Sequence, residues 1–142
     1  MVRRILGLLA GLVTAVVVIW VVEYLGHQLF PPSTVMDPDD PASIAAHMDS
    51  LPLGALLAVP VAWCLGTFAG VLVAIRLLGG QRLLSAVVVG TVMAVAGAMM
   101  LLQISSPSWF VALGIASFPT GALGAVLLAA TGDRDVETEP TG

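Results

Sequence analysis

Ile5-Leu6-Gly7-Leu8-Leu9-Ala10-Gly11-Leu12-Val13-Thr14-Ala15-Val16-Val17-Val18-Ile19-Trp20-Val21-Val22 is an unbroken run of 18 uncharged residues, entered through Arg3-Arg4 and left through Glu23. About 20 apolar residues at ~1.5 Å rise cross the ~30 Å core of a bilayer, where the backbone must satisfy its own hydrogen bonds, so the run predicts a membrane-spanning helix. Downstream it continues as Glu23-Tyr24-Leu25-Gly26-His27-Gln28-Leu29-Phe30 and meets Pro31-Pro32, which supply no amide donors. The first span is therefore read as 5–30. Glu23 lies ~28 Å along the helix axis from Arg4, near the outer boundary of the bilayer rather than its centre.

The same criterion finds three more spans. Leu51 to Ile75 carries no charge, and the charge-free stretch Leu83–Gly132 is divided by the polar segment Gln103-Ile104-Ser105-Ser106-Pro107-Ser108. The expected spans are 51–78, 83–102 and 109–130, giving an all-α membrane protein with a four-transmembrane-helix bundle in residues 1–130. Residues 131–142, polar and acidic, read as a disordered cytoplasmic tail. Composition agrees: 58% of the 142 residues are hydrophobic and 10% charged, outside the range of soluble domains.

A secretory signal is the competing reading of Met1–Val22. The apolar run exceeds the usual ~7–15 residue core, and no small-x-small cleavage site precedes Pro31. The net charge of −4 is sorted by side. Arg3, Arg4, Arg76, Arg82 and Arg134 fall in the N-terminal tail, the second connection and the C-terminal tail, whereas the first and third connections contain no Lys or Arg. Positive flanks face the cytoplasm, so the expected topology is N-in/C-in in a bacterial inner membrane.

In the first outer connection, Asp40-Pro41 is a helix start: an aspartate to cap free N–H groups, then a proline at the first helical position. A short amphipathic helix from Pro41 to about Ser50 is expected on the outer interface, with Ile44, Met48 and Leu51 on one side and Asp40, Ser43, His47 and Ser50 on the other. Asp37, Asp39, Asp40 and Asp49 make this surface acidic, which a solvated, capped loop explains.

Small residues recur at four-residue intervals along every span: Gly7 and Gly11; Ala62, Gly66, Gly70 and Ala74; Ala86, Gly90, Ala94 and Ala98; Gly121, Ala125 and Ala129. That spacing lets helix backbones approach closely in lipid, so Gly7, Gly11, Gly66, Gly70, Gly90 and Gly121 are read as helix-packing positions and as a source of oligomer contacts. Pro60 and Pro119 lie inside spans, and Trp20, Tyr24, Trp63 and Trp109 read as interfacial anchors. The single cysteine, Cys64, lies in the second span and permits no intrachain disulfide.

Glu23 and His27 share a helix face. Three readings follow. Carboxylate and imidazole bond each other and pin the exit of the first span; or Glu23, His27, His47 and Asp49 converge on a divalent metal; or Glu23 is a proton or cation site on a conduction path. Thr14, Thr67, Ser85, Thr91, Gln103, Ser117 and Thr120 are the further groups from which such a path would be built. Walker, Rossmann, His-Glu-x-x-His and Gly-x-Ser-x-Gly motifs are absent, as is any basic patch, which argues against an enzyme and against nucleic-acid binding.

The block Glu23-x-x-Gly26-His27-x-x-Phe30-Pro31-Pro32, with Asp37-Pro38-x-Asp40-Pro41, Leu51-Pro52-x-Gly54-Ala55 and Ala62-Trp63, resembles an uncharacterised family of small bacterial four-helix inner-membrane proteins. The resemblance covers the chain up to its tail and implies no established activity. Relatives often carry His-Pro before the third-connection tryptophan, where this chain has Ser106-Pro107-Ser108-Trp109, a departure that bears against a metal role for that connection. The expectation is a non-enzymatic structural or accessory subunit without a cofactor, acting by helix packing in the lipid bilayer as a homo-oligomer or in a larger complex. The alternatives are a small oligomeric transporter or channel with Glu23 and His27 at its outer vestibule, and an outer-surface metal site at Glu23, His27 and His47.

Overall fold

The computed structural model describes residues 2–31, 37, 39–103 and 106–137, without the side chains of 44, 45, 48, 49 and 132–137. Ile44, Met48 and Asp49, invoked above for the outer helix and the metal set, fall outside the described side chains, as does Arg134; so do residues 138–142 of the tail.

Among the described residues five helices follow one another: α1 (Val2–Leu29), α2 (Pro41–Ser50), α3 (Leu53–Leu77), α4 (Arg82–Gln103) and α5 (Ser108–Glu137). Four of them are long and apolar enough to cross a membrane: α1, α3, α4 and the part Ser108–Thr131 of α5. Helix ends follow local chemistry. Phe30 still donates its N–H to Gly26 O at 2.9 Å, and the chain leaves the helix where Pro31 disfavours helical geometry in the residue before it. α3 starts at Leu53 rather than Leu51 for the same reason, with Pro52 extended at φ −64°, ψ 148° as its N-cap. At α2, the Ala42 N–H donates to Asp40 Oδ1 at 2.9 Å, and just before it the Asp39 N–H donates to Asp37 Oδ1 at 3.1 Å. Two of the acids are thus turn and cap groups. α5 does not stop at Ala130; its backbone stays helical to Glu137, where composition alone suggested a coil.

α3 is the hub and touches α1, α4 and α5. The α1–α3 contact is a backbone seam in which a Cβ built on Gly11 falls 2.6 Å from Gly70 O and 2.9 Å from Ala74 Cβ. The reverse holds at Gly70, where it falls 2.5 Å from Gly11 O and 2.7 Å from Ala15 Cβ. Gly7 faces Leu78, Gly66 faces Ala15 and Ile19, Gly121 faces the Cys64 carbonyl of α3, and Gly90 faces Ala122 of α5. All six glycines therefore serve contacts within the chain. The expectation that they also feed oligomer contacts is not needed to explain any of them.

The α3–α4 connection turns through Gly79 and Gly80, at φ +65° and +87°, a region closed to most L-residues. Beside it, Arg82 donates from its guanidinium to Ala129 O of α5 at 3.1 Å. Because Gly7 packs on Leu78, Arg3, Arg4, Arg76 and Arg82 collect at one end of the bundle. Gly26 against Ala58 and Gly54 against Phe30 mark the opposite end, where Glu23, His27 and the acidic connection lie.

Three sides of the bundle are closed by α1–α3, α3–α5 and α5–α4 packing, and the fourth, between α1 and α4, is loosely closed. A groove of about 280 Å³ opens there, between Val16, Ile19 and Trp20 of α1 and Met93, Ala96, Gly97 and Met100 of α4, with Trp63 and Phe118 at its floor.

Candidate functional site

The ionisable residues of the first span sit at the end of the bundle away from the arginines. Glu23 is one helical turn beyond Ile19, whose side chain packs on Gly66, so α3 presents Trp63 to it. Trp63, whose indole N–H is its only side-chain donor, borders the same groove as the Glu23 carboxylate. The ring itself is 4% exposed and stacks on Phe118 of α5, with centroids 5.2 Å apart at 21°. Trp63 is therefore not an interfacial anchor. It lies inside the bundle on α3, beside Glu23 of α1. Trp20 and Tyr24 remain exposed and stack on each other at 5.9 Å.

His27 does not bond the Glu23 carboxylate. Its Nδ1 lies 2.8 Å from the Glu23 main-chain carbonyl, which can only accept, so the ring donates there and Nε2 is its remaining polar atom. The physical reason is local: the Glu23 carbonyl lies within the helix's own amide ladder but has a second lone pair, and a side chain four residues on can bond back to it. The i, i+4 spacing that brings the ring near the carboxylate also brings it to this oxygen.

Glu23, His27 and His47 all line one cavity of about 240 Å³. Its wall is aliphatic and aromatic: Phe30 from the end of α1, Leu51, Ala55, Leu56 and Val59 from α3 and the residues before it, Met100 and Leu101 from α4, Phe110 from α5. Ser106, just before α5, adds a hydroxyl that is buried and has no hydrogen-bond partner among the described residues. Glu23, Trp63 and Met100 also line the α1–α4 groove, so the two spaces meet at the carboxylate. Among the described residues no arginine or lysine lines either.

Sequence reasoning named Glu23, His27 and His47 and missed Trp63, Ser106 and the aromatic walls. Trp63 had a signal: it precedes Gly66 by three residues and Gly70 by seven, and so shares the face of the small-residue seam. Among the described residues no three His, Cys, Asp or Glu side chains are grouped to hold a metal ion, so the proposed metal set has a shared cavity but no ligand triad.

The groups suggested for a transmembrane polar path mostly turn back on their own helices. Thr14 donates to Ala10 O at 2.8 Å, Ser85 to Gln81 O at 2.8 Å, Ser117 to Gly114 O at 2.6 Å and Thr120 to Ala116 O at 2.7 Å. The Gln103 amide reaches Met99 O at 3.2 Å. Such local bonds satisfy a hydroxyl in lipid without joining it to a neighbour.

Compared with family models, curated proteins and solved structures, the chain matches none.

Proposed function

We propose that this chain is a non-enzymatic, non-conducting accessory subunit of the bacterial inner membrane, with both termini in the cytoplasm and the Glu23 cavity at the outer leaflet. The observation that carries the reading is the contrast between closed and open sides. Every small-residue seam is used to weld α1, α3, α4 and α5 together, while the α1–α4 side keeps an apolar groove with Ala96 and Gly97 in its wall. A partner helix gains close approach against residues of that size, which is the main source of helix association in lipid. The hydroxyls bonded to their own helices support the absence of a polar route. The orientation is supported by four arginines gathered at the end opposite Glu23.

Native mass spectrometry of the protein extracted from its own membrane tests this. A heteromeric mass is expected, and Ala96→Trp, which fills the groove from an exposed position, should release the partner while leaving the bundle folded. A mass that contains this chain alone overturns the accessory reading. The second reading, an oligomeric transporter with its outer vestibule at Glu23 and His27, draws on the cavity they line. It requires cation flux in proteoliposomes that Glu23→Gln abolishes.

A further inference from the structure

The outer cavity combines features that specify a ligand. Its wall is hydrocarbon and aromatic, and its polar groups are acceptors or amphoteric: the Glu23 carboxylate, the His27 ring, His47 and the Ser106 hydroxyl. Among the described residues no arginine or lysine lines it, and the connection that follows α1, outside that lining, carries Asp37, Asp39 and Asp40. A carboxylate has about four acceptor sites, and Trp63, the donor beside it in the cavity, can fill only one. Phe30, Trp63 and Phe110 present aromatic rings in the same space, and ring faces attract cations.

We propose that this cavity binds a lipophilic ammonium ion, an organic amine or quaternary ammonium with an apolar body. The cationic head sits against Glu23 and the rings of Phe30, Trp63 and Phe110, and the body lies on the aliphatic wall, with room to extend past Trp63 and Met100 into the α1–α4 groove. A phospholipid's ammonium fits less well, because the adjoining phosphate would enter an acidic site that has no arginine or lysine to receive it. A metal ion needs converging ligands, and the described residues offer no triad. The site goes beyond the accessory role and stands whether or not the chain has a partner subunit.

The test is equilibrium dialysis of the full chain in zwitterionic nanodiscs against benzyltrimethylammonium, with empty nanodiscs subtracted. Neopentylbenzene, its uncharged carbon isostere, serves as the competitor. Saturable uptake of one cation per chain is expected, weakened about ten- to hundredfold by Glu23→Gln, which removes the charge that attracts a cation without an N–H to donate, and not displaced by an equal concentration of the isostere. Displacement by the isostere, absence of saturable uptake, or unchanged affinity in Glu23→Gln overturns the proposal. Should Glu23→Gln not fold, Ala55→Phe decides the matter, since it fills the cavity from its aliphatic wall without altering the carboxylate. Uptake must then be lost, and unaltered uptake places the cation elsewhere and overturns the proposal.

Discussion

A buried hydroxyl in a dry interior needs an acceptor, and Thr67 lacks one. It is fully buried in α3 and its Oγ1 has no hydrogen-bond partner among the described residues. An unsatisfied buried polar group costs about 1–3 kcal/mol, and valine has nearly the same shape. Thr67→Val should therefore leave the fold intact and raise the thermal unfolding temperature in detergent; a fall would mean that the hydroxyl has a partner in the membrane. The Glu23–Trp63 pair is the opposite case, an acceptor and a donor side by side in one cavity. Trp63→Phe keeps a ring against Phe118 but removes the donor, and Glu23→Leu removes the acceptor. A double-mutant cycle, which cancels the change in ring size, should give a coupling of about 1–3 kcal/mol in unfolding free energy. A coupling near zero would reduce the pair to proximity. Spacing in the sequence already placed Glu23 and His27 on one face, yet it could not choose between carboxylate and carbonyl as the partner of the imidazole. Both lie within reach of a residue four positions on, and only coordinates separate them.

Helix–helix contacts in this chain differ in how much room they leave, and glycine substitutions should rank them. A Cβ at Gly70 would lie 2.5 Å from the Gly11 carbonyl oxygen and 2.7 Å from Ala15 Cβ, both on a helix packed along its length, so α1 and α3 would have to part. A Cβ at Gly90 would meet only Ala122 Cβ at 3.4 Å, an ordinary contact. Overpacking costs about 1–3 kcal/mol, whereas alanine for glycine in a helix gains about 0.5–1 kcal/mol. Gly70→Ala should lower the unfolding temperature and Gly90→Ala should leave it unchanged or raise it; equal effects would refute the seam as described. The repeat of small residues made both positions legible as packing sites. What the repeat withheld was the partner of each seam, because a stripe of glycine and alanine looks the same whether it meets a helix of its own chain or of another. The same limit explains Trp63. Aromatic residues near span ends are common anchors, and only its place on the Gly66–Gly70 face marks it as interior.

The molecule as a whole is polarised along the membrane normal. Arg3, Arg4, Arg76 and Arg82 cluster where α1 begins and α3 turns into α4, and the acids, Glu23 and the cavity occupy the other end. Uncharged run length was enough to place the four long helices, since hydrocarbon thickness fixes how many residues are needed. The cavity was illegible for a corresponding reason: it is made by residues from α1, α3, α4 and α5 that no local spacing relates. Charge polarity has a consequence for insertion. Moving the arginine end across an energised membrane would carry at least four positive charges against the positive-inside bias, while the opposite end presents carboxylates and no arginine or lysine. Orientation should therefore be uniform. With Cys64 replaced by Ser, a cysteine at Asp39 should react with a membrane-impermeant maleimide on intact cells. A cysteine at Gln81 should react only after the membrane is opened. Both positions are outside the helices, so neither substitution disturbs packing. Labelling of Gln81→Cys on intact cells would invert the topology and move the Glu23 cavity to the cytoplasmic leaflet. Labelling of both would mean that charge does not hold the chain in one orientation, and Arg82→Gln, which removes the charge but leaves a donor for Ala129 O, should then have no effect on the ratio. In a chain oriented by charge, that substitution raises the inverted fraction measurably, and adding Arg76→Gln raises it further.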